Sequence, residues 1–216
     1  MKQRCRNLIF ILGDQLSHSV SSLEGADPDQ DMILMCEVQE ETTYVRHHCK
    51  KIILILSAMR HFAEDLRGKG FDVRYTELDD AANAGSFTEE LKRAVKEIKP
   101  EKVIVTEPGE FRVLQAMSGW EKSLNIPVDI RTDSRFLCSK DEFGAWVEGR
   151  RELRMEFFYR DMRRKTGLLM EGDKPIGGRW NFDAENRKPA KPDLFRASHP
   201  QFTPDKTTRD VMKLVD

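Results

Sequence analysis

The chain has 216 residues, a net charge of −1, 39% hydrophobic and 34% charged residues, which excludes a collagen-like or disordered polymer and fits one well-filled domain with an appendage. No apolar run reaches the ~20 residues of a membrane-spanning helix. The run after the basic start Met1–Arg6 stops at Gly13-Asp14, short of the ~7–15 apolar residues of a secretory signal, so a cytoplasmic protein with no membrane partner is expected.

The first predicted element, residues 7–12, is Asn7 followed by the apolar run Leu8-Ile9-Phe10-Ile11-Leu12, which ends abruptly at Gly13-Asp14-Gln15. Such a run suits a strand buried on both faces, as at the centre of a parallel sheet. Residues 31–38 form a second apolar strand, joined to the first by a turn and loop containing Ser, Gly, Asp and Pro. From about His47 to Arg67 the apolar positions 52, 56, 59, 63 and 66 share a helical face. This predicts a long, nearly all-round apolar and therefore buried helix, stopped at Gly68.

Residues 71–76 alternate as an edge strand. Ser86 or Thr88 opens a helix that runs to Ile98 before Pro100. Residues 102–106 form a central strand, the loop 107–110 follows, and a helix runs through Trp120. Residues 128–131 supply the fifth strand. Strands alternating with helices at this spacing predict an α/β, Rossmann-like parallel sheet of about five strands in the order 3-2-1-4-5, with helices on both faces. In that order the carboxyl ends of the first and fourth strands meet where strand order reverses, the usual ligand position in open α/β sheets. Asp14 and Glu107 are then expected on opposite sides of one crevice.

Beyond Thr132 the texture changes. Residues 1–133 carry 18 Lys and Arg against 23 Asp and Glu, whereas residues 134–216 carry 18 against 14. Residues 140–149 and 153–165 read as flanking helices. Residues 172–199 hold most of the prolines and read as an extended arm, and Thr207–Asp216 as the opening of a further helix. The expected division is an α/β domain over 1–133, flanking helices over 134–171 and a linker over 172–216.

Several chemistries find no motif. There is no G-x-G-x-x-G after the first strand, no Walker loop and no nucleophile elbow. Cys5, Cys36, Cys49 and Cys138 show no C-x-x-C spacing, and the five histidines no metal spacing. Gly13, Asp14 and Gln15 read as the floor of a ligand pocket, or Asp14 caps the following helix. Glu37, Glu40, Glu41 and Tyr44 fall at the same sheet edge. Carboxylates beside a phenol accept hydrogen bonds from ring N–H groups and sugar hydroxyls, and they equally mark an acidic helix N-terminus.

The blocks Leu12-Gly13-Asp14-Gln15-Leu16, Cys36-Glu37-Val38, Tyr44-Val45-Arg46-His47-His48 and Ser57-Ala58-Met59-Arg60-His61-Phe62-Ala63 resemble the photolyase-related proteins of bacteria. So do Thr106-Glu107-Pro108-Gly109-Glu110, Met162-Arg163-Arg164-Lys165-Thr166-Gly167 and Gly178-Arg179-Trp180-Asn181-Phe182-Asp183. These are the iron–sulfur bacterial cryptochromes and photolyases. The resemblance implies an amino-terminal antenna domain that binds 6,7-dimethyl-8-ribityllumazine, with Gly13, Asp14, Glu41 and Tyr44 at the pigment and Gln15, Cys36, Glu37 and Glu107 as further candidates. It implies FAD, a [4Fe–4S] cluster and damaged DNA as partners of a carboxyl-terminal helical domain beyond Asp216. A cryptochrome-type photoreceptor without repair, or a nucleotide-binding module of the same topology, are the rival readings.

Overall fold

The computed structural model describes residues 5–183, 198 and 200–215. They fall into two units, Met1–Arg135 with Thr203–Asp216, and Phe136–Phe202.

The first unit is built on five parallel strands: β1 (Asn7–Phe10), β2 (Met32–Cys36), β3 (Asp72–Thr76), β4 (Lys102–Thr106) and β5 (Val128–Arg131), in the order β3-β2-β1-β4-β5. The expected Rossmann-like order is therefore present. β1 pairs with β2 through Ile9↔Ile33 and with β4 through Ile9↔Ile104. Because side chains alternate across a strand, its apolar run feeds two cores. Leu8, Phe10 and Leu12 join Leu34, Val105, Leu91 and Trp120 on one face. Ile9 and Ile11 join Ile33, Met59, Phe62 and Leu66 on the other.

The first face is covered by α3 (Phe87–Ile98), α4 (Phe111–Ser118) and α5 (Trp120–Leu124). Ser86 caps α3 by accepting a hydrogen bond from the Glu89 amide. The single helix expected through Trp120 is broken at Gly119, which re-aims Trp120 inward. Its ring stacks on Phe10, and its Nε1 donates to Thr88 Oγ1 at 2.9 Å. That bond satisfies the polar end of an otherwise buried indole.

The second face is covered by α2 (Cys49–Gly68) and by α8 (Lys206–Val215). α2 is not buried all round. Leu56, Met59, Phe62, Ala63 and Leu66 face the core, whereas Leu54 is 69% exposed. The continuous apolar run misled because Leu54 turns to solvent, whereas Ile52 and Ile55, in its first turns, pack at the edge of the core and also line a cleft. α1 (Gln39–Thr43) is one short turn of helix between β2 and α2.

In the second unit, Ser139 and Glu142 form a capping box at the start of α6 (Lys140–Val147). Phe143, Trp146 and Phe158 cluster between α6 and α7 (Met155–Thr166), with ring centroids 5.1–5.8 Å apart. Arg163, nearly fully buried, donates to the carbonyls of Trp180 and Leu169. A small hairpin, β6 (Met170–Glu171) with β7 (Lys174–Pro175), occupies the start of the stretch expected as an extended arm. The rest of that arm, residues 184–197 and His199, lies outside the described residues. No described helix is long and apolar enough to cross a membrane.

α8 returns to the first unit. Val211 is fully buried against α2, and Asp205, which accepts from the Thr208 amide, also bonds His61 on α2. His61 is raised above its ordinary value, chiefly by that bond. Asp205 is held down to about 2, by the Thr208 amide first and His61 second. The histidine contribution is full below the ordinary histidine value and fades as pH rises through the raised one. The aspartate contribution is full above the ordinary carboxylate value and fades as pH falls towards about 2. α8 docking is thus expected to be firmest between those limits. Hydrogen exchange of α8 amides, corrected for intrinsic rates, should rise above the histidine range, and His61→Gln should remove that rise. An unchanged pH profile in the variant would contradict the assignment.

Candidate ligand-binding site

A cleft of about 190 Å³ opens at the carboxyl edge of the sheet, beside the ends of β1, β2 and β4. Its floor is Leu12, Gly13 and Asp14. One wall is the end of β2 with α1, including Cys36, Val38, Glu41 and Tyr44. The first turns of α2 close a second side with Ile52, Ile55 and Met59. Pro108, Glu110 and Val113 close the third.

Gly13 lies at a close approach. A Cβ there would lie 2.9 Å from Met59 Sδ and 3.2 Å from Ile55 Cγ2, so α2 passes directly over the backbone that follows β1. Asp14 caps no helix, since a turn follows it. Its backbone carbonyl accepts from Arg135 Nη1 at 2.7 Å, and Arg135 is itself gripped by the Asp133 carboxylate. The Asp14 side chain is exposed, lies near Gly109, and accepts no hydrogen bond among the described residues.

The other candidates sort by what their polar atoms already do. Gln15 is fully buried behind the floor. Its Oε1 accepts from the Leu12 amide, and its Nε2 donates to the Thr106 carbonyl at 3.0 Å. It braces the end of β1 to the end of β4 and does not line the cleft. Glu37 borders the cleft, but its carboxylate is fully engaged. Arg60 forks onto both oxygens at 2.7 and 2.9 Å, Tyr75 Oη donates at 2.6 Å and the Leu78 amide at 2.8 Å. Burial, with Glu37 close by, pushes the Tyr75 phenol well up, so it remains a donor. Cys36 borders the cleft with its thiol pushed well above the ordinary value by burial, which keeps it a neutral thiol. Glu107 does not line the cleft. Its amide donates to the Arg131 carbonyl at 2.7 Å, and Pro108 and Glu110 stand in the position expected for it.

Glu41 and Tyr44 both border the cleft. Burial pushes the Glu41 carboxyl up, against the pull of Arg112. Arg112, on α4, was not foreseen. Its Nη2 donates to Glu41 at 2.6 Å, its Nη1 to Glu40 at 3.2 Å and its Nε to Glu110 at 2.9 Å, and its guanidinium lies 4.6 Å from the Tyr44 ring centroid. Asp14, Glu41 and Glu110 line the cleft and Glu40 stands beside it, against this arginine and Lys51. The arrangement can accept hydrogen bonds and leaves an apolar slot between Leu12, Val38 and Met59. Among the described residues no group of three or more His, Cys, Asp or Glu is placed to hold a metal ion.

The fold is α/β and Rossmann-like, with an acceptor-rich cleft at the switch point of its parallel sheet, the place where open sheets of this kind take ligands. The sequence matches the family described as deoxyribodipyrimidine photo-lyase-related protein over residues 9–216, and the chain belongs to that family. It is 60% identical over 209 residues to a (6-4) photolyase of Agrobacterium fabrum, an alignment covering 97% of this chain and 41% of that protein. The chain thus spans about two fifths of the length of that relative. It is also 23% identical over 199 residues to the uncharacterized protein R852 of Acanthamoeba polyphaga mimivirus, covering 88% of this chain and 98% of the viral one.

The Glu37 constellation gives a stability prediction. Glu37→Gln removes one charge from a fully buried carboxylate and leaves Arg60 with Glu77 alone at 3.0 Å. It should lower unfolding free energy by about 3 kcal/mol, measured by chemical denaturation. A loss below about 0.5 kcal/mol would fall in the range of ordinary surface substitutions and contradict the role.

Proposed function

We propose that this chain is a light-harvesting antenna domain and that its cleft binds a ribityl-lumazine, 6,7-dimethyl-8-ribityllumazine. The observation that carries the reading is that Asp14, whose carboxylate accepts no hydrogen bond among the described residues, and Glu41 line the same apolar slot at the sheet's switch point. A neutral, flat heterocycle with ring N–H groups and a polyol tail matches that slot in shape and in hydrogen-bond sense. Membership of the photolyase-related family supports the same pigment. The pigment would supply near-UV and blue-light absorption. The protein's part is to fix its orientation through Asp14 and Glu41 and to shield one ring face with Met59 and Ile55.

In a whole protein of the length of the Agrobacterium relative, the excitation would pass to FAD in a carboxyl-terminal domain that also carries a [4Fe–4S] cluster. The reaction served there would be light-driven DNA repair. The name of that relative supports a (6-4) photoproduct as the lesion.

The test is titration of the purified chain with 6,7-dimethyl-8-ribityllumazine, followed by absorption and fluorescence. A saturable complex is expected, and Glu41→Ala should weaken it about tenfold or more, the loss of one hydrogen bond to a charged group. Adenosine monophosphate should not compete. Absence of a lumazine complex together with saturable binding of the nucleotide would overturn the reading in favour of a nucleotide-binding module.

A further inference from the structure

We infer that Arg112 is a latch across the mouth of the cleft, tying the α1 wall to the β4–α4 wall and setting how long a ligand stays inside. The inference rests on the ligand-binding reading of the cleft and adds a positioning residue to it.

The geometry is specific. Arg112 sits in the first turn of α4, on the β4 side of the cleft. Glu40 and Glu41 sit on α1, after β2, 72 and 71 residues away in sequence. The two walls belong to different strands of the sheet, separated at their carboxyl ends by the floor strand β1. A guanidinium is a rigid planar fork with five donors. Here Nε and Nη2 both reach Glu110 on its own wall, at 2.9 and 3.3 Å, which aims the remaining donors across the gap at Glu40 and Glu41. The same group lies over the exposed Tyr44 ring at the end of α1, a cation–π contact that adds a second tie to the same wall.

An isolated surface ion pair contributes little. This one differs because several acids depend on one base. Without Arg112, Glu110 faces Glu40 and Glu41 across the opening as like charges, and the walls are pushed apart as well as untied. α1 is a poor hinge against such a push, since it has five residues and buries none of them. Its hold on the fold comes from neighbouring groups, such as the Glu40 amide donating to the Gly85 carbonyl at 3.0 Å. Asp14 and Glu41, the ligand-facing acids, lie inside this clasp. Opening the mouth therefore changes escape of a bound molecule more than the hydrogen bonds it makes once seated.

The experiment compares wild type, Arg112→Ala and Arg112→Lys in two measurements. The first is stopped-flow release of 6,7-dimethyl-8-ribityllumazine at low and high salt. Arg112→Ala should release about tenfold faster with a smaller change in association rate, as affinity changes within one interface fall mostly on dissociation. Release from wild type should quicken with salt, and release from Arg112→Ala should not. Arg112→Lys, a point charge without the fork, should fall between them. The second measurement needs no ligand. Hydrogen exchange of the Glu41 and Tyr44 amides, bonded to the Val38 and Glu40 carbonyls, should speed up in Arg112→Ala, with β1 and β4 unchanged. Release and salt dependence unchanged in a variant that binds lumazine would overturn the latch, and so would unchanged exchange. Failure of wild type to bind lumazine would overturn the ligand reading, and the exchange measurement would still decide whether Arg112 ties the walls.

Discussion

Everything in the first unit is arranged around one strand that has no free side. β1 is hydrogen-bonded along both edges, to β2 and β4, and its side chains are fully buried in two separate cores. A strand in that position must be apolar on both faces and must stop cleanly, because backbone groups beyond its end have no ladder partners. Gln15 meets that need, supplying an acceptor to the Leu12 amide and a donor to the Thr106 carbonyl. Gly13 lets α2 pass over the stop at contact distance. The crevice between β1 and its neighbours is what this abrupt ending leaves behind.

The charges around that crevice divide into engaged and available. Glu37 lies in the wall with all its acceptor capacity taken by Arg60, Tyr75 and the Leu78 amide. A carboxylate so placed holds β2, β3 and α2 together at the sheet edge. Glu40 and Glu110 are held by Arg112. Glu41 is shared between that arginine and the cleft, and Asp14 faces the cleft with an open carboxylate. Few carboxylates are thus left available at the cleft, set in a frame of ion pairs that occupies the rest.

The fold was legible in the sequence because its signals are local. The apolar runs of β1, β2 and β4, the Ser86 cap and the βαβ spacing each act over a few residues. What escaped depends on partners far along the chain. Glu37 does border the cleft, but the partners that engage its carboxylate, Arg60, Tyr75 and Leu78, are 23 to 41 residues away and leave no local signal. Gln15 looked like a ligand contact because the carbonyl it serves is 91 residues on. Glu107 was placed in the crevice by strand position alone, and the turn at Pro108 hands that place to Glu110. Arg112 gave no signal beyond being a charged residue at a helix start. Val211, Leu214 and Val215 have the spacing of a helix that docks, yet nothing local says that they return to α2. The family blocks located Asp14, Glu41 and Tyr44 in the cleft wall together, which residue chemistry alone had left open.

The most direct test of the central claim is an amide NMR spectrum of the chain recorded with and without 6,7-dimethyl-8-ribityllumazine. Shifts confined to residues 12–14, 36–44, 51–59 and 108–113, saturating with the pigment, are what the account requires. A spectrum unmoved by the pigment, or shifts gathered at the amino edge of the sheet around Asn7 and Lys102, would contradict it.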